Sequence, residues 1–321
     1  MNAQAFNVGA TDSSDAVLVD TAAPGTPTRR SRRWPSPGAI FGMLYLGVLT
    51  FLAVFADQLP FIRGYEQRVQ INGETANRYA LGPGWDAWFG TDGSGFDVFS
   101  KCIYGARTTL IVGFVATVIG LSIGGAIGLL AGYRRGATDR VAGIITDSLL
   151  AMPAIILAII MVYKLDVLRE DQRWLDWLDR RWQITLTLGF IAIAPLARIV
   201  RAQTMSLRER DFVLASRSLG ARTGRILGRE ILPNLVPAML TVAATGLALL
   251  IAAEGGLAFV GLSVEIPTPT WGKLIEANRD DLDRGWWATV FPCLMLFFTV
   301  LSFNLIGDWF ARRFDIREAT V

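Results

Sequence analysis

Three stretches of this chain, 34–56, 108–133 and 285–307, run for more than twenty residues without a single Asp, Glu, Lys or Arg. Two more, 141–163 and 234–262, are interrupted only by Asp147 and by Glu254. A helix needs about 20 apolar residues to cross the roughly 30 Å hydrocarbon core of a bilayer. Inside that core each backbone N–H and C=O must be satisfied within the protein, which a helix does by itself. The five runs therefore read as membrane spans. A sixth, 182–203, has a shorter uncharged part and reaches full length if Arg198 extends its guanidinium toward the interface. Gly120, Gly124, Gly125, Pro153 and Pro195 lie inside these runs, as membrane helices tolerate. Only 18% of the 321 residues are charged, against about a quarter in a typical soluble domain, and the deficit sits in the runs. The expected fold is an all-α membrane protein with six transmembrane helices, at about 34–56, 108–133, 141–163, 182–203, 234–262 and 285–307.

The remaining charge orients the chain. With the N-terminus inside, the inner segments hold 18 of the 31 Lys and Arg residues. Arg134, Arg135 and Arg140 fall in a short inner loop, where the positive-inside rule is strongest. Both termini are thus expected in the cytoplasm. The Ser/Thr/Pro-rich stretch 1–33 reads as a disordered leader, 34–317 as the membrane domain and 318–321 as a tail. The first apolar run is too long, and lies too far from Met1, for a cleaved signal peptide.

Composition also closes off some chemistry. The net charge of +3 makes no case for nucleic acid. There are no histidines, which removes His-based acid–base catalysis and the commonest transition-metal ligand. No metal motif is present. Cys102 and Cys293 each stand alone in apolar settings, which points to unpaired thiols, with a disulfide between them as the alternative.

Between the fourth and fifth runs lies a basic segment, the loop 204–233. Phe212, Ala215 and Leu219, then Ile226 and Ile231, recur at helical spacing with arginines between them. The pattern describes a short amphipathic helix, a break at Gly220-Ala221, and a second helix ending at Leu232-Pro233-Asn234, since Pro233 disfavours helix at the residue before it. From chemistry alone, such a loop could lie against anionic headgroups. Its residues say more. Asp211-Phe212-Val213-Leu214-Ala215-Ser216-Arg217-Ser218-Leu219-Gly220-Ala221, followed by Arg229-Glu230-Ile231-Leu232-Pro233-Asn234, resembles the EAA loop of ATP-binding-cassette (ABC) importer permeases, in particular the dipeptide/oligopeptide/nickel permease family. That pattern is (D/E)-(Y/F)-V-x-A-A-R-A-L-G-A, then H-I-L-P-N. Ser216 and Ser218 stand for alanines here, and Glu230 for histidine.

Two further segments carry the same resemblance. Gly90-Thr91-Asp92 through Asp97-Val98, with Tyr104-Gly105-Ala106-Arg107, is similar to the signature G-T-D-x-x-G-R-D-V-x-S-R-x-x-Y-G-A-R of the family's C-type subunit, with Phe96 in place of Arg. Read from its residues, it is a Gly/Asp turn leading into a helix that Asp97 or Asp92 caps. Its spacing does not fit a calcium-binding EF-hand loop. Gly261-Leu262-Ser263 through Pro267, Pro269, Trp271 and Gly272 is similar to the family's last external loop. The match continues through Trp286-Trp287, Phe291-Pro292 and Phe303-Asn304-Leu305-Ile306-Gly307-Asp308.

The resemblance implies a type I ABC importer permease fold and a transport subunit rather than an enzyme, in the bacterial cytoplasmic membrane. Its partners would be a second, homologous permease, two ATPase subunits that hold ATP and Mg²⁺, and an extracytoplasmic solute-binding protein, all set in membrane lipid. Its cargo would be di- or oligopeptides, with nickel or another small solute as the alternative. Asp211, Phe212, Ala215, Ser216, Arg217, Leu219, Gly220, Ala221, Pro233 and Asn234 would couple to the ATPase. The chain has no G-x-x-x-x-G-K-[ST] of its own. Pro267, Pro269, Trp271 and Trp286 are candidates for receiving the binding protein, against a plain interfacial role for the tryptophans.

Met152, Glu254 and Phe259 are candidates for the pathway. Buried acids are costly in a membrane and mark function by default. Glu254 either attracts a peptide amino terminus or hydrogen-bonds a neighbouring helix, whereas Asp147, about two turns from Arg140, is expected to take a structural pairing or a helix-end role. The segment 165–181 is expected to form an external amphipathic helix with Trp174, Leu175, Leu178 and Trp182 on its apolar face. A secondary transporter would show repeats and an ion site, a channel a pore loop, and an intramembrane enzyme a catalytic pair. None of these is evident in the sequence.

Overall fold

Ser36 starts the first helix, α1 (Pro37–Val54). Its hydroxyl accepts the Ala39 N–H at 3.3 Å, and proline occupies the first turn, where a missing N–H costs nothing. The structure is a computed structural model that describes residues 35–71, 74–75, 81–262, 264 and 268–314. The leader 1–33, the tail 318–321 and Pro267 lie outside those residues. After α1 comes a minimal antiparallel pair, β1 (Gln70–Ile71) and β2 (Glu74–Thr75). All other regular structure among the described residues is helical: α2 (Val98–Arg134), α3 (Gly136–Ala151), α4 (Ala154–Asp171), α5 (Arg180–Arg208), α6 (Asp211–Ser218), α7 (Thr223–Arg225), α8 (Leu232–Phe259), α9 (Trp271–Asn278), α10 (Leu282–Gly285) and α11 (Trp287–Arg313). By length and composition α1, α2, α5, α7–α8 and α11 are each able to cross a membrane, and the pair α3–α4 forms the sixth candidate.

The turn before α2 explains the Gly/Asp motif. Gly90 and Gly95 take positive φ, where a Cβ would be strained. Asp92 Oδ1 accepts the N–H groups of Ser94 and Phe96 at 2.8 and 3.0 Å, and Asp97 caps α2 by accepting the Ser100 N–H at 3.1 Å. Lys101 then closes the turn. Its ammonium lies 2.6 Å from Asp92 and 4.0 Å from the centre of the Phe96 ring. Phe96 thus gives the turn a cation–π face. Nearby, hydrogen bonds from Tyr104 and Arg107 hold the Asp57 carboxyl below its usual pKa.

The centre of the bundle is the packing of α2 on α5. Gly120, Gly124, Gly128 and Gly132 recur every fourth residue, so they form one stripe on α2. A Cβ would sit 2.6 Å from Ala192 Cβ at position 120, 2.5 Å from the Ile193 carbonyl at 124 and 2.7 Å from the Arg201 carbonyl at 132. At 128 it would run into the carbonyl of Ala197. The two helices therefore approach backbone to backbone over about three turns, the close approach that small residues permit in membranes.

Two expectations change here. The run 141–163 is not one straight span. Met152 is extended (φ −86°, ψ 132°), and α3 and α4 meet at 94°. The cause is local, because Pro153 drives the residue before it out of the helical region. The second change is at Pro233, which does not end a helix. Ile226–Ile231 forms a π turn, with the Leu232 N–H bonded to the Leu227 carbonyl, and the helix runs on into α8. The widened turn absorbs the clash and the missing donor that proline brings.

The segment 165–181 also differs from the amphipathic helix expected. The helix α4 continues to Asp171, a 3₁₀ turn covers Arg173–Leu175, and α5 begins at Arg180. Leu178 is buried while Trp174 is exposed, so the four apolar residues share no single face.

Candidate functional site

The end of α5 and the start of α8 hold the basic loop between them. Arg210 precedes α6, and α6 closes on Gly220 at φ +78°. The Gly220 N–H donates to the Arg217 carbonyl at 2.9 Å and the Ala221 N–H to the Ser216 carbonyl at 3.1 Å. This is a Schellman closure, which needs a residue free to take positive φ. One side of α6 is anchored. Val213 is buried with Ile226, Ile231 and Tyr133, each aliphatic contributing about 1.5–3 kcal/mol of burial.

The other side of α6 is bare. Phe212, Ala215 and Leu219 lie at i, i+3 and i+7, all exposed, Leu219 at 87%. Leu214 is exposed beside them. An apolar face left exposed on a short helix anchored from beneath is the kind of surface that marks protein–protein or membrane contact. Asp211, Arg217, Pro233 and Asn234 are exposed, Ser216 and Ala221 half-buried. Asn234 donates to the Glu230 carbonyl at 2.6 Å, closing the π turn from outside.

Tyr133, at the end of α2, links this helix to the bundle, a role not read from the sequence. The guanidiniums of Arg208 and Arg217 lie 5.9 and 5.7 Å from its ring centre. Arg208 also donates to the Tyr133 carbonyl at 2.8 Å, and Arg217 reaches the phenol oxygen at 3.4 Å. Arg135, next to this end, pairs with Glu209 at 2.6 Å. The end of α2, the end of α5 and α6 are thereby joined through one aromatic ring. The available signal was Tyr133's position directly after the fourth glycine of the stripe.

The candidates for the pathway do not come together. Met152 lines a cavity of about 370 Å³ between the α3–α4 break and α5. Glu254 lies inside the packing of α8, 1% exposed. The hydroxyls of Thr109 on α2 and Thr270 ahead of α9 face it, but neither completes a hydrogen bond of ordinary geometry with either carboxyl oxygen. Phe259 is exposed at the end of α8, with the Arg279 guanidinium 4.5 Å above its ring. Asp147 forms no ion pair with Arg140. Arg201 takes the nearby acid instead, in a two-bond fork with Asp139 whose second bond is 2.8 Å.

Of the surface candidates, Trp286 is exposed. Trp271 is corrected. It is fully buried, its indole N–H donates to the Cys102 carbonyl at 2.9 Å, and its backbone N–H reaches Thr109 at 3.3 Å. Its role is to pin α9 onto α2. Pro269 beside it is buried, and Pro267 lies outside the described residues. Cys102 and Cys293 are both free thiols.

Comparison with known proteins bears on the family and the fold. Residues 124–319 match the family described as "Binding-protein-dependent transport system inner membrane component". The chain is 33% identical over 270 residues to a dipeptide transport system permease protein of Alkalihalophilus pseudofirmus, covering 84% of this chain and 83% of that one. It is 34% identical over 270 residues to a glutathione transport system permease protein of Pectobacterium atrosepticum, covering 84% of each. Among solved structures, an inward-facing MetNI methionine ABC transporter chain superposes with a TM-score of 0.55 at 21% identity, covering 67% of this chain and 96% of that one. That likeness establishes the type I permease fold.

Proposed function

The chain belongs to the family of binding-protein-dependent transport system inner membrane components, as a multi-pass permease subunit of an ABC importer, and from that membership we propose that its cargo is a di- or oligopeptide. The relatives named for dipeptide and glutathione transport support a peptide-like solute. In this reading the α6 end faces the cytoplasm, with both termini, in agreement with the arginines gathered there. The chain itself performs no hydrolysis. Two ATPase subunits bind ATP and Mg²⁺, a second permease completes the pathway, and an extracytoplasmic binding protein delivers the peptide to the opposite end, where Trp286 is exposed.

The observation that carries the coupling part of this reading is the bare apolar face of α6. Phe212, Ala215 and Leu219 fill a cleft in the ATPase, with Ser216 small enough for close approach. When ATP draws the two ATPases together, the docked helix moves with them. Because Val213, Ile226, Ile231 and the Tyr133 ring hold α6 to the ends of α2 and α5, the displacement reaches those helices as a rigid-body motion. The cycle then exchanges an inward-open for an outward-open packing, and ATP biases the equilibrium between them.

The test is Gly220→Val in the complete transporter, reconstituted in liposomes. Nothing lies within 4 Å of a Cβ at this position, so the change strains only the positive φ, by about 1–2 kcal/mol. We expect the complex to assemble and hydrolyse ATP while peptide uptake per ATP falls about tenfold. Unchanged uptake per ATP would refute coupling through α6.

A further inference from the structure

Between α3, α5 and the second half of α2 lies a cavity of about 570 Å³ that the coupling mechanism does not use. Its walls are charged, carrying Asp139, Arg140 and Asp147 from α3 and Arg198 and Arg201 from α5. The position is unusual for such groups. Asp147 lies eleven residues beyond the start of α3 at Gly136, about 16 Å along the helix. Arg198 lies ten residues before the end of α5 at Arg208, about 15 Å in from that end. Both also fall inside the apolar runs 141–163 and 182–203, six and five residues from the inner ends, and ionisable side chains within such runs face the bundle interior or a water-filled path.

The charges are only partly matched within the chain. Arg201 and Asp139 satisfy each other in their fork. Asp147 adds its field to Arg201. No ion pair within 4 Å among the described residues engages Arg140, Asp147 or Arg198. Two guanidiniums and one carboxylate, Arg140 and Asp147 from α3 and Arg198 from α5, thus line the cavity with capacity for a ligand. A solute bearing both an anionic and a cationic end complements that set, and the surplus of positive charge favours the anionic end. The volume lies within the range of small-molecule sites, about 300–1,000 Å³, and a dipeptide, about 7 Å from end to end when extended, fits it.

We propose that this cavity receives the charged termini of a zwitterionic cargo on its way through the membrane, the carboxylate toward Arg198 and Arg140 and the ammonium group toward Asp147. The proposal rests on the peptide reading above and names the part of the chain that meets the peptide. Arg198, which the sequence placed as a snorkelling residue, becomes a ligand contact. A guanidinium suits it because its planar donors match a carboxylate.

The experiment uses the complete transporter in liposomes, with dialanine and its C-terminally amidated counterpart as probes. In Arg198→Gln the KM for dialanine uptake is expected to rise about tenfold, with the KM for the amide changed less than twofold, since the amide has no carboxylate to lose. Arg198→Lys should recover most of the dialanine KM, and the ATPase rate reports that each variant is assembled. Equal losses for both peptides, or no loss for either, would overturn the site while leaving the transporter a peptide importer. Absence of uptake of either peptide by the unsubstituted complex would overturn the peptide reading itself, and this site's ligand with it. The same arginines suit a lipid phosphate. An Arg198→Gln defect that appears only in liposomes with anionic lipid, equally for both peptides, would assign the cavity to a headgroup and overturn the proposal.

Discussion

The two helical units that pack on α5 do so in opposite ways. On one side α2 meets it through Gly120, Gly124, Gly128 and Gly132, with the backbones in close approach for about three turns. On the other, α3 and α4 meet it across a 94° break, and the cavities of about 570 and 370 Å³ open along that contact. Close-packed interiors transmit displacement, and voids absorb it. The α2–α5 pair is thus suited to carry motion from α6, and the α3–α4 pair to change shape in response. Chemistry divides the same way. The α2–α5 contact is glycine, alanine and carbonyl, whereas the looser contact holds Asp147, Arg198 and Arg140.

The contrast breaks most severely if a side chain is forced into the tight contact. Gly128→Leu is expected to lower the stability of the folded permease by about 3 kcal/mol, read from thermal unfolding in detergent. Gly143→Leu, on α3, meets nothing within 4 Å and should shift stability by no more than about 0.5 kcal/mol. Similar losses at the two positions would mean that the packing is alike on both sides of α5.

A smaller effect sharpens the comparison by cutting the link from α6 to the tight pair. Tyr133→Ala removes the ring between Arg208 and Arg217, and uptake per ATP is expected to fall about fivefold with ATPase activity retained. Tyr133→Phe keeps both cation–π faces and loses only the long phenol contact, so it should behave as the unsubstituted protein does.

Much of this was legible in the sequence, because a bilayer imposes composition directly. The charge-free runs predicted the spanning helices. The spacing of Phe212, Ala215 and Leu219 predicted the face that α6 presents. Other features depended on contacts that a pattern does not carry. The glycines at 120, 124, 128 and 132 are visible as a spacing, but their meaning lies in the α5 backbone opposite them. Tyr133 and Arg208 are 75 residues apart. Trp271 reads the same whether it sits at an interface or, as here, fills the centre of a helix junction. At Pro153 and Pro233 the same residue type gave opposite outcomes. One proline leaves a bend, and the other is absorbed by a π turn, because the chain around Ile226 and Ile231 is held by burial.

The most direct test of the account is a pair of spin-label distances in the complete transporter, with Cys293→Ser as background. One pair joins α2 to α5 through Ile123→Cys and Ile199→Cys. The other joins α4 to α5 through Ile156→Cys and Ile199→Cys. All three isoleucines are exposed. Between the nucleotide-free and ATP-bound states the α2–α5 distance should hold within about 2 Å, while the α4–α5 distance changes by more than that. An α2–α5 distance that changes as much as the α4–α5 distance would contradict a rigid pair driven from α6.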